Sequence, residues 1–230
     1  MVLSLSFEWR HLLFANWPVD SHAVAARLPA ALDVDEYDGT AWLSVVPLLN
    51  ADARPRGLPT MAGFPRPEVH LRTYVSHDGD PGVYFFSLDA AGLMSVVAAR
   101  FTHHLPYYYA RVRFRRSGDR VHVTSRRRQP GDRPARFAAT YGPTGEAYTA
   151  PPDSLAEFVT ERRRIYTQST DGTLRHTDLS HDRWPLFDAD VSVTENTLFA
   201  ASGFEHPETE PVHFYSPGVD VVTSRSERSA

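Results

Sequence analysis

The chain has 230 residues, long for one domain and short for two, with a formal net charge of −4 and 42% hydrophobic residues. It contains no cysteine, which excludes disulfides, thiolate nucleophiles and thiolate metal sites. It also contains no lysine: all 24 Lys-plus-Arg positions are arginine, so imine formation through a side-chain amine is excluded as well.

The first residues, MVLSLSFEWRHLLFANW, have no basic segment ahead of the apolar ones and reach Glu8 and Arg10 early. That fits neither a signal peptide nor a spanning helix, and a soluble cytoplasmic protein is expected. Ser4 to Trp17 reads as a strand closed by Pro18, followed by a short helix from Asp20 to Leu28 with Asp20 as its cap. LDVDEY and TAWLSVVPL flank Asp38-Gly39, which predicts a hairpin. A Pro- and Gly-rich loop, ADARPRGLPTMAGFPRP, leads into the strand PEVHLRTYV, and SHDGDPG turns the chain into the strand VYFFSLDA. Ala91 to His104 predicts a helix stopped by Leu105-Pro106. YYARVRF and RVHVTSRR predict a hairpin around Ser117-Gly118-Asp119, and ARFAATYGP and TGEAYTAP continue the β pattern.

Ser154 and Glu157 form a capping box opening a helix expected to run to Tyr166. A strand pair surrounds Thr170-Asp171-Gly172, a short helix runs from Thr194 to Ser202 before Gly203, and PVHFYSPGVDVV is a last strand. Residues 1–222 form a single domain on this reading, and 223–230 form a frayed tail. The class is mainly β with a few helices (α+β). A closed or nearly closed, largely antiparallel β-barrel fits, because closure removes exposed edges and creates an inside.

Alternate side chains of a strand point to opposite faces, so PEVHLRTYV places Glu68, His70, Arg72 and Tyr74 on one side and Val69, Leu71, Thr73 and Val75 on the other. The polar side faces either water or a lumen lined for a ligand. The neighbouring strand offers Tyr84, Phe86 and Leu88, or alternatively Val83, Phe85, Ser87 and Asp89, beside that face. Either way the strand VYFFSLDA is mostly apolar, which suits a pocket better than bulk water. Arg100 closes an apolar helical stretch, where it serves either as a dipole-favoured surface cation or as an anion clamp.

No metal-ligand spacing, nucleophile elbow or Gly-rich phosphate loop occurs, and neither a metal nor a cofactor is expected. Between Arg111 and Arg136 ten arginines stand against Asp119 and Asp132. An Arg-lined ribbon over 111–128 could grip phosphates, so nucleic-acid or polyanion binding is a rival reading. The absence of aromatics among the outward arginines disfavours nucleic acid.

WRHLLFANWPVD, LDVDEYDGTAWLSVVP, PEVHLRTYV, GVYFFSLDA, AARFTHHLPYYYARV, SLAEFVTERRRIY and HDRWPL occur in an order and spacing that resembles the uncharacterised DUF2071 (YqjF-like) family, of the acetoacetate decarboxylase-like superfamily. The resemblance covers about residues 5 to 222, with Asn16 where the family pattern has His and His70 where it has Asn. It implies a cone-shaped barrel enclosing a pocket. Carried over by motif, it implies that Arg10 and Glu68 line the pocket, that Arg100 is an anion clamp, and that Tyr107 occupies the Schiff-base lysine position with Tyr108 as its neighbour. A second pocket Glu falls on Val45. Glu161 with Arg162, and His181 with Trp184, also match family motifs.

The expected function is therefore binding of a small anionic organic molecule, an oxo or hydroxy acid, by a monomer or homodimer with no membrane role. Glu68 and Tyr107 are candidate acid/base groups for a lyase or isomerase reaction without a lysine. Arg10, Arg72, Tyr74, Tyr84, Arg100 and Tyr108 are candidate ligand contacts.

Overall fold

A computed structural model describes residues 4–58, 65–92, 104–129 and 131–229. The chain runs β1 (Leu5–Val19), α1 (Ser21–Ala25), β2 (Asp33–Val34), β3 (Ala41–Pro55), β4 (Arg66–His77) and β5 (Asp80–Ala90). It continues through β6 (Tyr107–Ser117), β7 (Arg120–Arg127), β8 (Arg136–Tyr148), α2 (Leu155–Thr160), β9 (Arg164–Gln168) and β10 (Leu174–Ser180). β11 (Leu186–Asn196), α3 (Leu198–Ala201), β12 (Val212–Thr223) and β13 (Glu227–Arg228) complete it. Among the described residues no helix is long and apolar enough to cross a membrane.

Among the described residues, all thirteen strands belong to one sheet, which closes on itself through the additional pairings β10–β12 and β5–β4. Strand pairing can be followed around two circuits. One passes through β5, β4, β3, β1, β12, β10 and β9; the other leaves β5 through β6, β7, β8 and β11 to reach β12. β1, β3 and β4 are thereby a shared wall with both faces covered. Leu12, Phe14, Val46, Leu48, Tyr74 and Val83 fill the first core. Leu13, Ala15, Leu43, Val45, Val69 and Leu71 fill the second. That double burial explains why Leu12 to Ala15 and Val45 to Leu48 are continuous apolar runs rather than alternating ones.

Two irregularities aim the wall. His11 has φ 53°, and the β1–β3 register shifts between Arg10 and Ala15, so Trp9 and Leu12 can face the same core. β12 comes against this bulge at Gly218, where a Cβ would run into the carbonyl of Trp9. A second register shift lies between Leu71 and Arg72 in the β4–β5 ladder. It sets Val83 and Phe85, then Leu88 and Ala90, against the polar face of β4, taking members from both alternatives the sequence offers.

Several expected elements are shorter, longer or differently paired. β1 continues through Pro18 to Val19. Asp38-Gly39 makes a tight turn with φ 52° and 70°, but it joins only the bridge Tyr37–Thr40, while β2 pairs with β4. α2 keeps the cap at Ser154, whose side chain accepts from the amide of Glu157 at 3.2 Å, yet it ends at Thr160. Ile165 and Tyr166 belong instead to β9, paired in parallel with Val83 and Tyr84, where burying two bulky side chains outweighs helix propensity. ARFAATYGP and TGEAYTAP form one strand, β8. The segment expected as a frayed tail pairs with β10 through Arg175–Arg228 and His176–Glu227, anchored by Arg175 on Ser226. Most of the helix predicted from Ala91 to His104 lies outside the described residues.

Candidate functional site

β4 extends its polar face by one residue pair beyond the sequence expectation: Arg66, Glu68, His70, Arg72 and Tyr74 alternate along it. The face is buried at Glu68 and His70, each 5% exposed, and at Tyr74, which is fully covered, while Arg66 and Arg72 are half-buried. The charges and phenol of this strand therefore have to be paired by protein or serve a ligand.

Three donors converge on the Glu68 carboxylate. His70 Nε2 lies 2.9 Å from Oε2, Tyr107 donates its hydroxyl to Oε2 at 3.4 Å, and Asn50 Nδ2 donates to Oε1 at 3.4 Å. Tyr107 reaches this place because β6 pairs in parallel with β5, putting it beside Leu88, which in turn sits opposite His70. Burial, reinforced by the Glu68 charge, raises the Tyr107 phenol well above its ordinary value, with Arg66 opposing. Tyr107 is thus held as a proton donor.

Further along the strand, Arg72 donates Nη2 to the carbonyl of Val159 at 2.8 Å and stacks over the ring of Phe14 at 5.5 Å. Its Nε, like that of Arg66, is buried without a hydrogen-bond partner among the described residues. Tyr74 closes the row: its hydroxyl donates to Val159 O at 3.0 Å and lies 2.6 Å from Ser44 Oγ, which donates to Asn16 Oδ1 at 2.6 Å. Val159 O thus receives two donors just before the end of α2 and ties that helix to β4. A cavity of about 20 Å³ remains between His70, Arg72, Phe85 and Trp184, the room one water needs.

The remaining sequence candidates lie elsewhere. Arg10 does not join the cluster: the bulge at His11 follows it, and its guanidinium pairs with Glu8 at 3.2 Å and Asp220 at 2.5 Å on the outside of the β1–β12 ladder. Tyr84 sits opposite Thr73, on the reverse side of the sheet from Arg72, and packs with Val75 and Tyr166. Tyr108 follows Tyr107 in the same strand and so points away from it; Arg127 stacks on its ring at 3.8 Å. Val45 is buried in the second core, and it is Val46 that lies opposite His70. Arg100 lies outside the described residues.

Arg162 is paired with Asp35 at 2.6 Å and stacked on Phe158 at 4.1 Å, while Glu161 accepts from the amide of Trp184 at 2.9 Å. His181 packs on Trp184 at 5.2 Å, and Arg162, His181 and Trp184 all border the small cavity. Three residues of the cluster are missing from the sequence candidates, His70, Arg66 and Asn50. The signal for the first two was the period of two that selected Glu68 and Arg72; Asn50 comes from β3, opposite Arg66, and no spacing pointed to it.

Behind the shared wall, Asp89 and Arg127 form a second buried charged group. Arg127 Nε is 2.9 Å and Nη2 2.7 Å from Asp89 Oδ1, with the side chains 0% and 3% exposed. Burial pushes the Asp89 carboxyl up, and the Arg127 charge pulls it back. This pair lies on the same side as Leu71 and Val123, away from Glu68, because Asp89 is opposite Val69.

The family model that matches the chain covers residues 6–220 and is DUF2071, described as "Uncharacterized conserved protein". The chain is 40% identical over 215 residues to the "Uncharacterized protein YqjF" of Bacillus subtilis (strain 168), covering 93% of this chain and 88% of that protein. In fold it is similar to the enduracididine biosynthesis enzyme MppR complexed with pyruvate, at TM-score 0.71 and 12% identity, over 99% of this chain and 91% of that one. It is also similar to acetoacetate decarboxylase from Legionella pneumophila, at TM-score 0.68 and 14% identity, over 98% and 87% of the two chains. An acetoacetate decarboxylase-like enzyme from Sphingomonas wittichii RW1 matches at TM-score 0.65 and 14% identity, over 100% and 94%.

Proposed function

From the premise that the chain belongs to the DUF2071 family and has the acetoacetate decarboxylase-like fold, we propose that it binds a small organic acid inside its first core. The reading rests on one observation: a buried carboxylate approached by an imidazole and a phenol shares a strand face with two half-buried guanidinium groups whose Nε atoms are buried with no described partner. Buried N–H groups without acceptors are costly, and a carboxylate matches the guanidinium fork. Arg72 and Arg66 are the anion contacts in this reading. Glu68, His70 and Tyr107 handle a proton next to the bound acid.

The chain has no lysine, so the chemistry is not imine-forming decarboxylation. A phenol kept protonated beside a carboxylate suits donation to a developing enolate while Glu68, held by His70, accepts a proton from the adjacent carbon. That assigns a lyase or isomerase type of proton transfer to an oxo acid. The cavity of about 20 Å³ admits no such acid as it stands, so binding requires the side chains around Arg72 to move apart.

A thermal-shift series of oxo and hydroxy acids tests this, with pyruvate first because MppR has been seen complexed with it. An acid at about 100 times its Kd stabilises the fold by about 2.7 kcal/mol. The shift should vanish in Arg72→Met and weaken in Tyr107→Phe. An equal shift in Arg72→Met would place the acid elsewhere. Deuterium exchange into the bound acid, followed by NMR, separates turnover from binding: Glu68→Gln should stop exchange while leaving most of the affinity.

A further inference from the structure

On the outer side of the second core, three strands carry arginines directly across from one another. Arg111 pairs with Arg126 between β6 and β7, and Arg126 with Arg136 between β7 and β8. Directly paired residues project to the same side about 4.8 Å apart, so the three side chains start from a row about 10 Å long. Arg113 and Arg128 extend it into an open groove of about 260 Å³. Glu195 is the acid lining that groove, and it sits 3.4 Å from Arg136. The side chains of Arg111, Arg113, Arg126 and Arg128 hydrogen-bond to no described residue.

Like charges placed directly opposite in a sheet are destabilising. A lysine-free composition accounts for each arginine singly; it does not account for three of them in one register. The row is offset when an anion bridges it, and the anion must carry its charge along a line rather than at one point. Guanidinium matches phosphate oxygens in bidentate pairs. The groove between the arginines is floored by Thr124 and Ala138, and Phe137 faces the second core, so none of the described residues lining the groove offers a ring to stack on a base. We infer that this groove binds a linear oligophosphate through its phosphates alone.

Tripolyphosphate is the probe, with midpoint shifts titrated on the full chain. It should raise the midpoint of the wild type, with an effect that shrinks as salt rises from about 0.1 M to about 1 M and the screening length falls from about 10 Å to about 3 Å. Arg126→Ser should weaken it by about tenfold or more and Arg113→Ser by less, while Arg225→Ser, outside the groove, should leave it unchanged. Orthophosphate should bind far more weakly. Without ligand, Arg126→Ser should melt no lower than wild type, because it relieves the row.

Unchanged affinity in Arg126→Ser, or orthophosphate binding as tightly as tripolyphosphate, overturns the inference. So does a lower midpoint for the empty Arg126→Ser protein, or tighter binding of oligothymidylate, which would point to nucleic acid. Glu68→Gln leaves the groove untouched, so this result stands or falls apart from the organic-acid site.

Discussion

β4 and β6 carry nearly the same sequence pattern and have opposite fates. In β4, Arg66, Glu68, His70 and Arg72 alternate with Val69 and Leu71; in β6, Arg111, Arg113 and Arg115 alternate with Val112 and Phe114. The charged face of β4 is closed in by β9, β10, β12 and α2, and its groups are drawn into hydrogen bonds with one another, as His70 with Glu68, or with α2, as Arg72 with the carbonyl of Val159. The charged face of β6 is exposed. Alternation fixes which residues share a face and says nothing about what covers that face. Coverage is a property of the whole sheet, set by the two circuits that share β1, β3 and β4.

The sharpest way to break this comparison lies in β7, where neighbouring arginines face opposite ways. Arg127 is buried against Asp89, and Arg126 is exposed. Arg127→Ala leaves a buried carboxylate without its cation and should cost about 3–5 kcal/mol by urea unfolding. Replacing the pair together by Leu and Met should recover most of that loss, since well-packed apolar residues can substitute for a buried ion pair. A loss under about 1 kcal/mol for Arg127→Ala would mean that water reaches Asp89 and that the second core is open there.

Next in size is Tyr74→Phe. Its hydroxyl joins Ser44 to the carbonyl of Val159, so its removal should cost about 1–3 kcal/mol and loosen α2. Faster amide exchange at α2, with the β6–β7 hairpin unchanged, would tie the buried polar face of β4 to that helix. Exchange that rises equally in both would show that the two cores unfold as one.

These two residues also mark how far the sequence could be read. Tyr74 was legible, since period two from Glu68 selects it, and so were the hairpin around Gly118 and the caps at Asp20 and Ser154. The position of Tyr84 was not, because a register shift after Leu71 changes which β5 residues accompany the β4 face, and the sequence FFSLDA carries no glycine or other signature of a bulge. Arg10 was misplaced for a similar reason: the sequence does not announce the positive φ of His11. Asp89 with Arg127 was invisible as a pair, because the partners are separated by 38 residues and stand on strands, β5 and β7, that no sequence spacing brings together. The family resemblance supplied the fold and directed attention to Tyr107, which the structure places beside Glu68, and for Tyr108 and Val45 the structure puts the side chains on the far side of the wall.

Smaller effects should come from histidines buried outside the cluster. Burial lowers His11, His181 and His213 from 6.5, with the charges of Arg116 and Arg10 adding to the effect at His11 and that of Arg163 at His181. A lowered value means that the unfolded chain binds the proton more readily than the folded one. Their contribution to stability is therefore complete above about pH 6.5 and is lost as pH falls through the lowered values. Midpoints measured from about pH 7.5 down to about pH 5.5 should decline, and His213→Gln should flatten that decline. A profile that stays flat in wild type would mean that these rings open to solvent before they titrate.

The smallest expected effect tests the exposed half of the comparison. Arg115 points outward from β6 opposite His122, and Phe114 beside it points into the second core. Arg115→Ser should change stability by no more than about 0.5 kcal/mol, while Phe114→Ser, one residue away, should cost several times that because it removes apolar surface from the core. Equal effects at the two positions would require a cover over the arginine face, in which case the hairpin would be a second closed wall like β4. Unequal effects keep the face open to solvent, where a guanidinium row gains from an anion.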